Sequence, residues 1–382
     1  MRIILINDTA ARSANPGCQL TSRTFRAFLD RLGKVTESIE WGFSRRMPAV
    51  DRRTWHDLLA GRWLDEPVLR NLAQIEYGPD AAERCRRADL IVFQPEGTVS
   101  DNENALRIMR FLSLPLWAAL YAQAPVIVAN GTFPLLSDHR AGAIRALLSC
   151  ATLTVMRDRI SAQHWNVPCA PDSAVLWQGI PRKHDPQWLL VTTAAEANIR
   201  IDLAIGQAAL SAAQALRLRP LILGKAWQHL LPLEDRIKAL GGEILTSTEL
   251  DHVDPRIADC RLHIGGRYHM ALLCATKGIP SALIPTNTHK NIWLEQEIIG
   301  IALSQEPHGL AAAAAQLMAV PQAQILADTA RLRDETVTEL SAMRATARRE
   351  HHDPLVLPED LLRALKREAR VQLWKQRLRR LR

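Results

Sequence analysis

The sequence predicts an α/β protein with two Rossmann-like domains, each built on a parallel sheet. Short apolar runs alternate with longer helical stretches along most of the 382 residues. Continuous apolar runs joined by helical crossovers are typical of parallel sheets covered on both faces. A chain of this length is too long for one ordinary core and suits two domains.

Nine segments are predicted as strands and seven as helices. The predicted strands are Ile3–Ile6, Asp89–Phe93, Pro125–Ala129, Ala151–Met156, Trp188–Val191, Leu221–Leu223, Glu243–Leu245, Arg261–Ile264 and Ser281–Ile284. The predicted helices are Cys18–Leu32, Glu103–Ala122, His139–Ser149, Arg159–Trp165, Ala197–Leu218, Glu234–Leu240 and Tyr268–Thr276. Each helix separates two strands, as crossovers in parallel sheets require.

The segment Trp177–Pro186 is polar, contains two prolines and a glycine, and lies between two predicted strands. Such a composition indicates a linker. We therefore expect a first domain over residues 1–180, a second over 181–345 and a basic helical tail over 346–382. Because open α/β sheets bind ligands beyond the carboxyl ends of their strands, the active site is expected in the cleft between the two domains.

The positive charge is concentrated in the tail. The formal net charge is +8, and residues 361–382 hold nine Lys or Arg and one Glu, so the first 360 residues are formally neutral. A nucleic-acid-binding domain usually carries its basic residues across a folded face, so no nucleic acid is expected as a partner. In the tail, Val371, Trp374, Leu378 and Leu381 recur at helical spacing among cations. That pattern suits an anionic membrane surface, although a helix packed on its own domain is an equal alternative.

Other signatures are missing from the sequence. The six cysteines form no C-x-x-C pair, and no H-E-x-x-H or carboxylate cluster at metal spacing occurs, so neither a disulfide framework nor a metal site is predicted. The four apolar residues Ile3–Ile6 are too few for the core of a signal peptide, and prolines interrupt the longest apolar region, Phe111–Val128. We therefore expect a cytoplasmic protein.

The segment from Ile264 to His269 carries the strongest chemical signal. A predicted strand ends at Ile264, Gly265 and Gly266 allow a tight turn close to a ligand, and a helix follows. The free N–H groups at a helix start attract anions. Arg267 adds a fork that matches carboxylate or phosphate, and His269 can donate to the same anion or transfer a proton. Lys290, after the next strand, can supply a second cation.

This run, followed by Ala275–Pro280 and then Lys290, resembles the C-terminal signature of the polysaccharide pyruvyl transferase family. Further segments resemble family landmarks in the same order: Leu90–Thr98, Ala124–Asn130, Thr154–Ser161 and Ala170–Ala174. Asn15–Cys18 stands where many members have Asn-x-Gly-Asp, with Cys18 replacing the acid. The resemblance covers roughly residues 1–300.

The resemblance implies a GT-B-like arrangement, phosphoenolpyruvate as donor, a free or lipid-linked saccharide as acceptor, and no cofactor. The residues that it implies for the donor are Arg157, Gly265, Gly266, Arg267 and Lys290. His269 or Glu96 would deliver the proton that the reaction needs. Asp8 and Asn130 are expected on the acceptor side. A peripheral position at the inner face of the membrane is compatible with the basic tail.

Two other functions fit the same sequence. A GT-B-type glycosyltransferase with a nucleotide-sugar donor would have the same fold, and fold does not fix function. A non-enzymatic protein could bind a membrane or nucleic acid through its tail. Structural roles also compete at single residues: Arg157 could pair with Asp158 or cap a helix, Asp172 could cap a turn, and His263 is expected to be a core histidine. The tryptophans of Trp41–Asp65 would line either the core or the cleft.

Overall fold

A computed structural model describes residues 1–10, 15–42, 50–195, 198–223, 227–285, 288–346 and 355–380. Within these ranges the chain forms two separate parallel sheets with helices on their faces. Two parallel sheets with alternating helices are the predicted architecture, and the prediction of two Rossmann-like halves is confirmed.

The first sheet has the strand order β2-β1-β3-β4-β5. Its strands are β1 (Arg2–Ile6), β2 (Lys34–Ile39), β3 (Leu90–Phe93), β4 (Val126–Gly131) and β5 (Leu153–Met156). Its helices are α1 (Pro16–Leu32), α2 (Arg52–Ala60), α3 (Glu66–Tyr77), α4 (Ala81–Arg86), α5 (Ala105–Tyr121), α6 (Ala141–Cys150) and α7 (Arg159–Trp165). The strand order reverses at the β1–β3 pair, and such a switch point leaves a crevice at the carboxyl ends of the strands.

The second sheet has the strand order β11-β10-β9-β6-β7-β8, which is the doubly wound order with its switch point between β6 and β9. Its strands are β6 (Trp188–Thr192), β7 (Arg219–Leu223), β8 (Glu243–Leu245), β9 (Cys260–Gly265), β10 (Ser281–Leu283) and β11 (Ile301–Leu303). The remaining helices are α8 (Ile199–Leu216), α9 (Glu234–Ala239), α10 (Leu250–Ile257), α11 (Tyr268–Ala275), α12 (Lys290–Glu297), α13 (Leu310–Leu317), α14 (Gln322–Thr346) and α15 (Glu359–Arg380).

Both sheets are buried on both faces. In β1, Ile4 and Ile6 pack into one apolar cluster, whereas Ile3 and Leu5 pack into another on the opposite face. Successive side chains of a strand point to opposite faces, so a strand covered on both sides must be apolar throughout. This explains why a continuous apolar run marks β1 in the sequence.

The last two helices return to the first half of the chain. Leu340 of α14 packs in the cluster that holds Ile3 and Leu5. Leu361 and Leu365 of α15 are buried in the cluster on the other face of the first sheet. The domain boundaries near residues 180 and 345 stay predictions, but the tail is joined to the core of the first half rather than to the second.

Each of the nine predicted strands has a counterpart, and two strands were not predicted. Strand β2 lies at the edge of its sheet, and within it Val35 and Ile39 alone are buried, so its polar sequence gave a weak signal. Strand β11 has only three residues. Ala197, where one predicted helix begins, lies outside the described residues.

Within the described ranges no single helix is long and apolar enough to cross a membrane. One bent pair of helices, Pro307–Leu317 with Gln322–Ala342, would be long and apolar enough by length and composition alone.

Candidate active site

A cavity of about 330 Å³ lies where the carboxyl ends of the two sheets meet. It is lined from the first half by Asn15, Pro16, Gly17, Cys18, Trp41, Glu96, Gly97, Thr98, Arg107 and Arg157, and from the second by Thr192, Ala195, Leu223, Arg267, Tyr268, His269, Met270 and Lys290. Glu96–Thr98 follow β3, and Arg267 follows β9, so the cavity lies beside both switch points. This is the position expected for a ligand site in open α/β sheets.

The charges around the cavity favour an anion. Among the described lining residues, Arg107, Arg157, Arg267 and Lys290 carry positive charge, and Glu96 is the one carboxylate. A cleft lined mainly by one sign of charge concentrates ligands of the opposite sign.

Arg157 is fully buried at the end of β5. Its Nη1 donates to Oδ2 of Asp172 at 2.8 Å, and its Nε donates to Oγ1 of Thr132 at 3.0 Å. Its Nη2 is buried and has no hydrogen-bond partner among the described residues. Unpartnered buried donors are rare in native proteins. The expectation that Arg157 pairs with Asp158 is wrong, because Asp158 accepts from Ser161 N and contacts His289 instead.

Asp172 is the counter-ion of this cluster. Its Oδ1 accepts from Thr21 Oγ1 at 2.9 Å and from Ala174 N at 2.8 Å, so its predicted role as a turn cap is confirmed. Burial by itself would raise the pKa of Asp172, but Arg157 and His269 lower it well below the usual value. Asp172 therefore stays ionised beside Arg157. The sequence predicted its role as a turn cap but not this role as a counter-ion.

His269 belongs to the second half but contacts this first-half cluster. Its Nε2 lies 3.1 Å from Nη1 of Arg157 and 3.4 Å from Oδ2 of Asp172. Gly17, at the start of α1, fits against the other side of the ring, since a Cβ there would come within 2.8 Å of the His269 Cβ and 3.1 Å of its Nδ1. The imidazole is thus fixed between the Arg157–Asp172 ion pair and the backbone of Gly17, which has no side chain.

Lys290 and Arg157 approach each other over Gly97. A Cβ added to Gly97 would lie 3.0 Å from Nζ of Lys290 and 3.2 Å from Nη2 of Arg157. Burial, and then the charge of Arg157, lowers the pKa of Lys290 to about 8. Burial destabilises the charged form of Lys290, and a bound anion would stabilise that form.

Arg267 lies between β9 and α11. Its Nη1 donates to Ala195 O and its Nη2 to Thr193 Oγ1, both at 3.2 Å, whereas its Nε is buried without a partner among the described residues. Burial lowers the pKa of Arg267. Arg267 is therefore the second arginine of the cavity with an unused buried donor.

Close packing explains why glycine occupies positions 265 and 266. A Cβ on Gly265 would lie 2.0 Å from Thr192 Oγ1, and one on Gly266 would lie 3.1 Å from Ala194 Cα. Both glycines let β9 approach the end of β6, and neither is among the described residues that line the cavity. A direct contact of these glycines with the donor stays a prediction.

Glu96 lines the cavity from the loop after β3. It is nearly buried, its backbone φ is 50°, and its Oε1 accepts from Thr9 Oγ1 at 2.6 Å. A non-glycine residue in the left-handed region is strained unless its surroundings hold it, and such residues concentrate at functional sites.

The two residues predicted for the acceptor lie outside the described cavity lining. Asp8 is buried, and its carboxylate accepts from Ser38 Oγ and from Ala10 N. Asn130 donates from Nδ2 to Thr21 Oγ1 at 3.0 Å and to Gln94 Oε1 at 3.1 Å. Asn130 thereby supports the threonine that holds Asp172, and acceptor contacts of either residue stay predictions.

Trp41 and Arg107 were not singled out together by the sequence. The Arg107 Cζ lies 5.7 Å from the centre of the Trp41 ring, and both residues line the cavity. Trp41, Trp55 and Trp63 all belong to the apolar cluster of the first half, but of these three only Trp41 is among the described residues that line the cavity. Only a contact between distant elements brings this pair together.

His263 is confirmed as a core histidine. It is buried between Thr192 Oγ1 at 2.9 Å and Ser281 Oγ at 3.1 Å, and burial lowers its pKa to about 3. Within the described residues, no group of three or more His, Cys, Asp or Glu could hold a metal ion.

Solved structures with the same fold come from enzymes of nucleotide sugars. A UDP-GlcNAc 2-epimerase from Neisseria meningitidis bound to UDP-GlcNAc matches with a TM-score of 0.53 and 10% identity, covering 90% of this chain and 99% of that one. An α,α-trehalose-phosphate synthase (UDP-forming) from Burkholderia vietnamiensis matches with a TM-score of 0.51 and 13% identity, covering 90% and 98%. At these identities the likeness shows the GT-B type of fold alone.

Sequence comparison gives the family. No curated protein matches the chain in sequence. The sequence model of the polysaccharide pyruvyl transferases, by contrast, matches residues 15–288, a range that begins at the cavity's Asn15 and includes Arg157, Arg267 and His269. Since this match spans well over half of the 382 residues, the chain belongs to the polysaccharide pyruvyl transferase family and is a transferase.

Proposed function

We propose that the protein transfers the pyruvyl unit of phosphoenolpyruvate to two hydroxyls of a saccharide, forming a pyruvate ketal and releasing phosphate. The observation that carries this proposal is the pair of buried, unpartnered donors on two arginines that line one cavity, Nη2 of Arg157 and Nε of Arg267. Buried N–H groups without partners are costly, and an anionic ligand would satisfy both.

The charge of the donor fits the cavity. Phosphoenolpyruvate carries a phosphate and a carboxylate on a three-carbon skeleton, so it needs several cations at fixed positions. Arg157, Arg267 and Lys290 offer them from both halves, and the start of α11 adds backbone N–H groups beside Arg267. Fixed donors in a site with little water stabilise charge that develops on the leaving phosphate.

The reaction delivers one proton to the donor and removes one proton from each of the two acceptor hydroxyls. An acid protonates the methylene carbon of the donor, which becomes a methyl group, and a sugar hydroxyl adds to the adjacent carbon and loses its proton. Departure of phosphate then allows the second hydroxyl to add to the same carbon and lose its proton. One hydroxyl proton replaces the proton that the acid delivered, and the other leaves with phosphate. No organic cofactor or metal is needed for these steps.

His269 and Glu96 are the two candidates for proton transfer. We assign the acid to His269, because Arg157 and Asp172 fix its ring at the cavity. We assign removal of a proton from the acceptor hydroxyl to Glu96, which lines the cavity and is held there by a hydrogen bond from Thr9 Oγ1. Asp172 acts as a positioning residue for both Arg157 and His269.

The acceptor is proposed to be a polysaccharide or its precursor, free or attached to a lipid. The Trp41 and Arg107 side of the cavity offers it an aromatic and cationic wall. We further propose that the protein works at the cytoplasmic side, at or near the inner face of the membrane.

A donor screen tests the proposed function. The protein is incubated with phosphoenolpyruvate or with UDP-sugars, each with a panel of lipid-linked and nucleotide-activated sugars, and release of phosphate or UDP is followed. We expect phosphate release with phosphoenolpyruvate that depends on an acceptor. Release of UDP without turnover of phosphoenolpyruvate would instead assign the protein to the nucleotide-sugar transferases.

Two matched variants test the proton assignment. His269→Gln keeps a donor but cannot titrate, so the rate is expected to fall by about 10²–10⁴ and the pH profile to lose one limb. Glu96→Gln is expected to lose the opposite limb. If His269→Gln keeps both limbs and most of its rate, Glu96 becomes the acid and His269 a donor-binding residue.

A further inference from the structure

Helix α15 has a face that packs on the first half. Leu361, Leu365 and Ala369 are buried there, and Oε2 of Glu368 accepts from Leu106 N at 2.7 Å. Farther along, Oε1 of Gln376 accepts from Trp55 Nε1 at 3.2 Å. The helix is therefore held against α2 and α5 along most of its length.

A second apolar face of the same helix points to solvent. Val371, Trp374 and Leu378 have 46%, 61% and 41% of their surfaces exposed. Their spacing of three and four residues places them on one side of a helix, away from the face that carries Leu361 and Leu365. The two interpretations that the sequence left open thus apply to different faces: one apolar face packs on the protein, and another is left exposed. Leu381, the last residue of the predicted stripe, lies outside the described residues.

The exposed face is bordered by cations. Arg367, Arg370 and Lys375 are exposed on α15, whereas Arg363 nearer the start of the helix pairs with Glu359 at 3.1 Å. Residues 361–382 hold nine Lys or Arg against one Glu, whereas the rest of the chain is formally neutral. That single glutamate, Glu368, is turned to the buried contact with Leu106. Exposed apolar side chains among cations, without acids between them, match an interface of acyl chains below anionic headgroups.

We propose that the exposed face of α15 is a docking surface for an anionic lipid bilayer, with Trp374 at its centre. Trp374 enters the headgroup region, where its amphipathic ring is favoured, and the flanking cations contact the headgroups. The binding does not depend on which reaction the protein performs.

The position of the helix adds a consequence that rests on the proposed function. Leu106, which α15 holds through Glu368, directly precedes Arg107, and Arg107 lines the cavity. The exposed face points away from Leu106, so a membrane bound by α15 would lie about 10 Å, one helix diameter, beyond this contact and on the same half of the molecule as the wall where we place the acceptor. This is where a lipid-linked saccharide would meet the enzyme.

The test is sedimentation of the full chain with vesicles of phosphatidylcholine alone or of an equal mixture with phosphatidylglycerol. Two variants address the two components of the face, Trp374→Ala and the double variant Arg367→Glu with Arg370→Glu. Matched controls on the second half are Ile299→Ala, whose side chain is 55% exposed, and Arg200→Glu, which is also exposed. Removal of the whole helix is unsuitable, because it would uncover the apolar cluster that Leu361 and Leu365 complete.

Wild type and both controls are expected to sediment with the mixed vesicles and not with phosphatidylcholine alone. The double variant is expected to weaken partitioning by at least about 25-fold, since each of the two lost cations contributes about 1 kcal/mol near an anionic surface and the glutamates add repulsion. All variants should keep their circular dichroism and their turnover with a water-soluble acceptor, so a failure here is distinct from a failure of the proposed reaction. Equal sedimentation of variants and wild type would overturn the proposal, as would binding of a DNA duplex in place of vesicles.

Discussion

The two sheets present their carboxyl ends to one cavity in different ways. In the first sheet, the neighbouring strands β1, β3 and β4 are followed or ended by non-glycine residues in the left-handed region: Asn7 at φ 64°, Glu96 at φ 50° and Asn130 at φ 56°. Buried hydrogen bonds hold these positions; Asn7 Nδ2, for example, donates to Gln94 O at 2.8 Å. In the second sheet, β9 ends at Gly265, and Gly266 and Arg267 follow it before α11 begins.

We infer from this difference that the first half mainly positions the site residues and that the second half mainly binds the donor. In the first half, buried hydrogen bonds and strained backbone conformations hold Asp172, Arg157 and Glu96 in one arrangement. The second half brings long cationic side chains from helix starts, and Arg267 is held by two contacts of 3.2 Å. Changes in the first half should therefore cost stability as well as activity, whereas changes in the second should cost mainly donor binding.

The largest effect is expected for Asp172→Asn. This variant leaves Arg157 buried without a counter-ion, and breaking a buried ion pair from one side costs roughly 3–5 kcal/mol. The free energy of unfolding, measured by chemical denaturation, should fall by that amount. The control is Asp251→Asn, which breaks the exposed pair with Arg23 and should cost less than about 1 kcal/mol. Equal stability of the two variants would contradict a positioning network in the first half.

Arg267→Ala should show the opposite pattern. It removes a charge-assisted contact to the donor, and we expect a loss of about 2–4 kcal/mol of transition-state stabilisation, read from kcat/KM for phosphoenolpyruvate. Its unfolding free energy should change far less than that of Asp172→Asn. The matched control is Arg261→Ala, since Arg261 is an exposed arginine on β9, the strand before Arg267. A variant that unfolds like Asp172→Asn, or turns over like wild type, would remove the contrast between the two halves.

The same contrast explains what the sequence could predict. Arg267 and His269 lie within five residues of Gly265 on one strand–helix turn, so their grouping is visible in a short run of sequence. The ion pair between Arg157 and Asp172 joins two residues that each had an adequate local role, a pair with Asp158 and a turn cap. Trp55 meets Gln376 across a separation of 321 residues. Contacts of this kind form only when distant elements pack together, so no short run of the sequence reveals them.

Gly97→Ala tests how closely the cations of the two halves approach. The new methyl group would lie within 3.2 Å of Arg157 Nη2 and Lys290 Nζ, and these side-chain ends would have to move. We expect about tenfold weaker binding of phosphoenolpyruvate, which is about 1.4 kcal/mol, with little loss of stability. In a Lys290→Ala background the methyl group has room, so the same change should cost less. Strict additivity of the two substitutions would contradict the convergence over Gly97.

The smallest effect concerns the pH dependence of donor binding. Burial and Arg157 lower the pKa of Lys290 to about 8, and an anionic donor prefers the protonated amine. Because protonated Lys290 is lost as pH rises through 8, the dissociation constant of phosphoenolpyruvate should increase about fourfold between pH 7 and 8.5. The phosphate itself titrates near pH 6, so its charge changes little in this window. Calorimetric titration measures the constant at each pH. Lys290→Arg should flatten the profile, since arginine stays charged throughout. A profile that keeps its slope in Lys290→Arg would show that the titrating group is not Lys290, and the cation from the second half would then not depend on pH in this window.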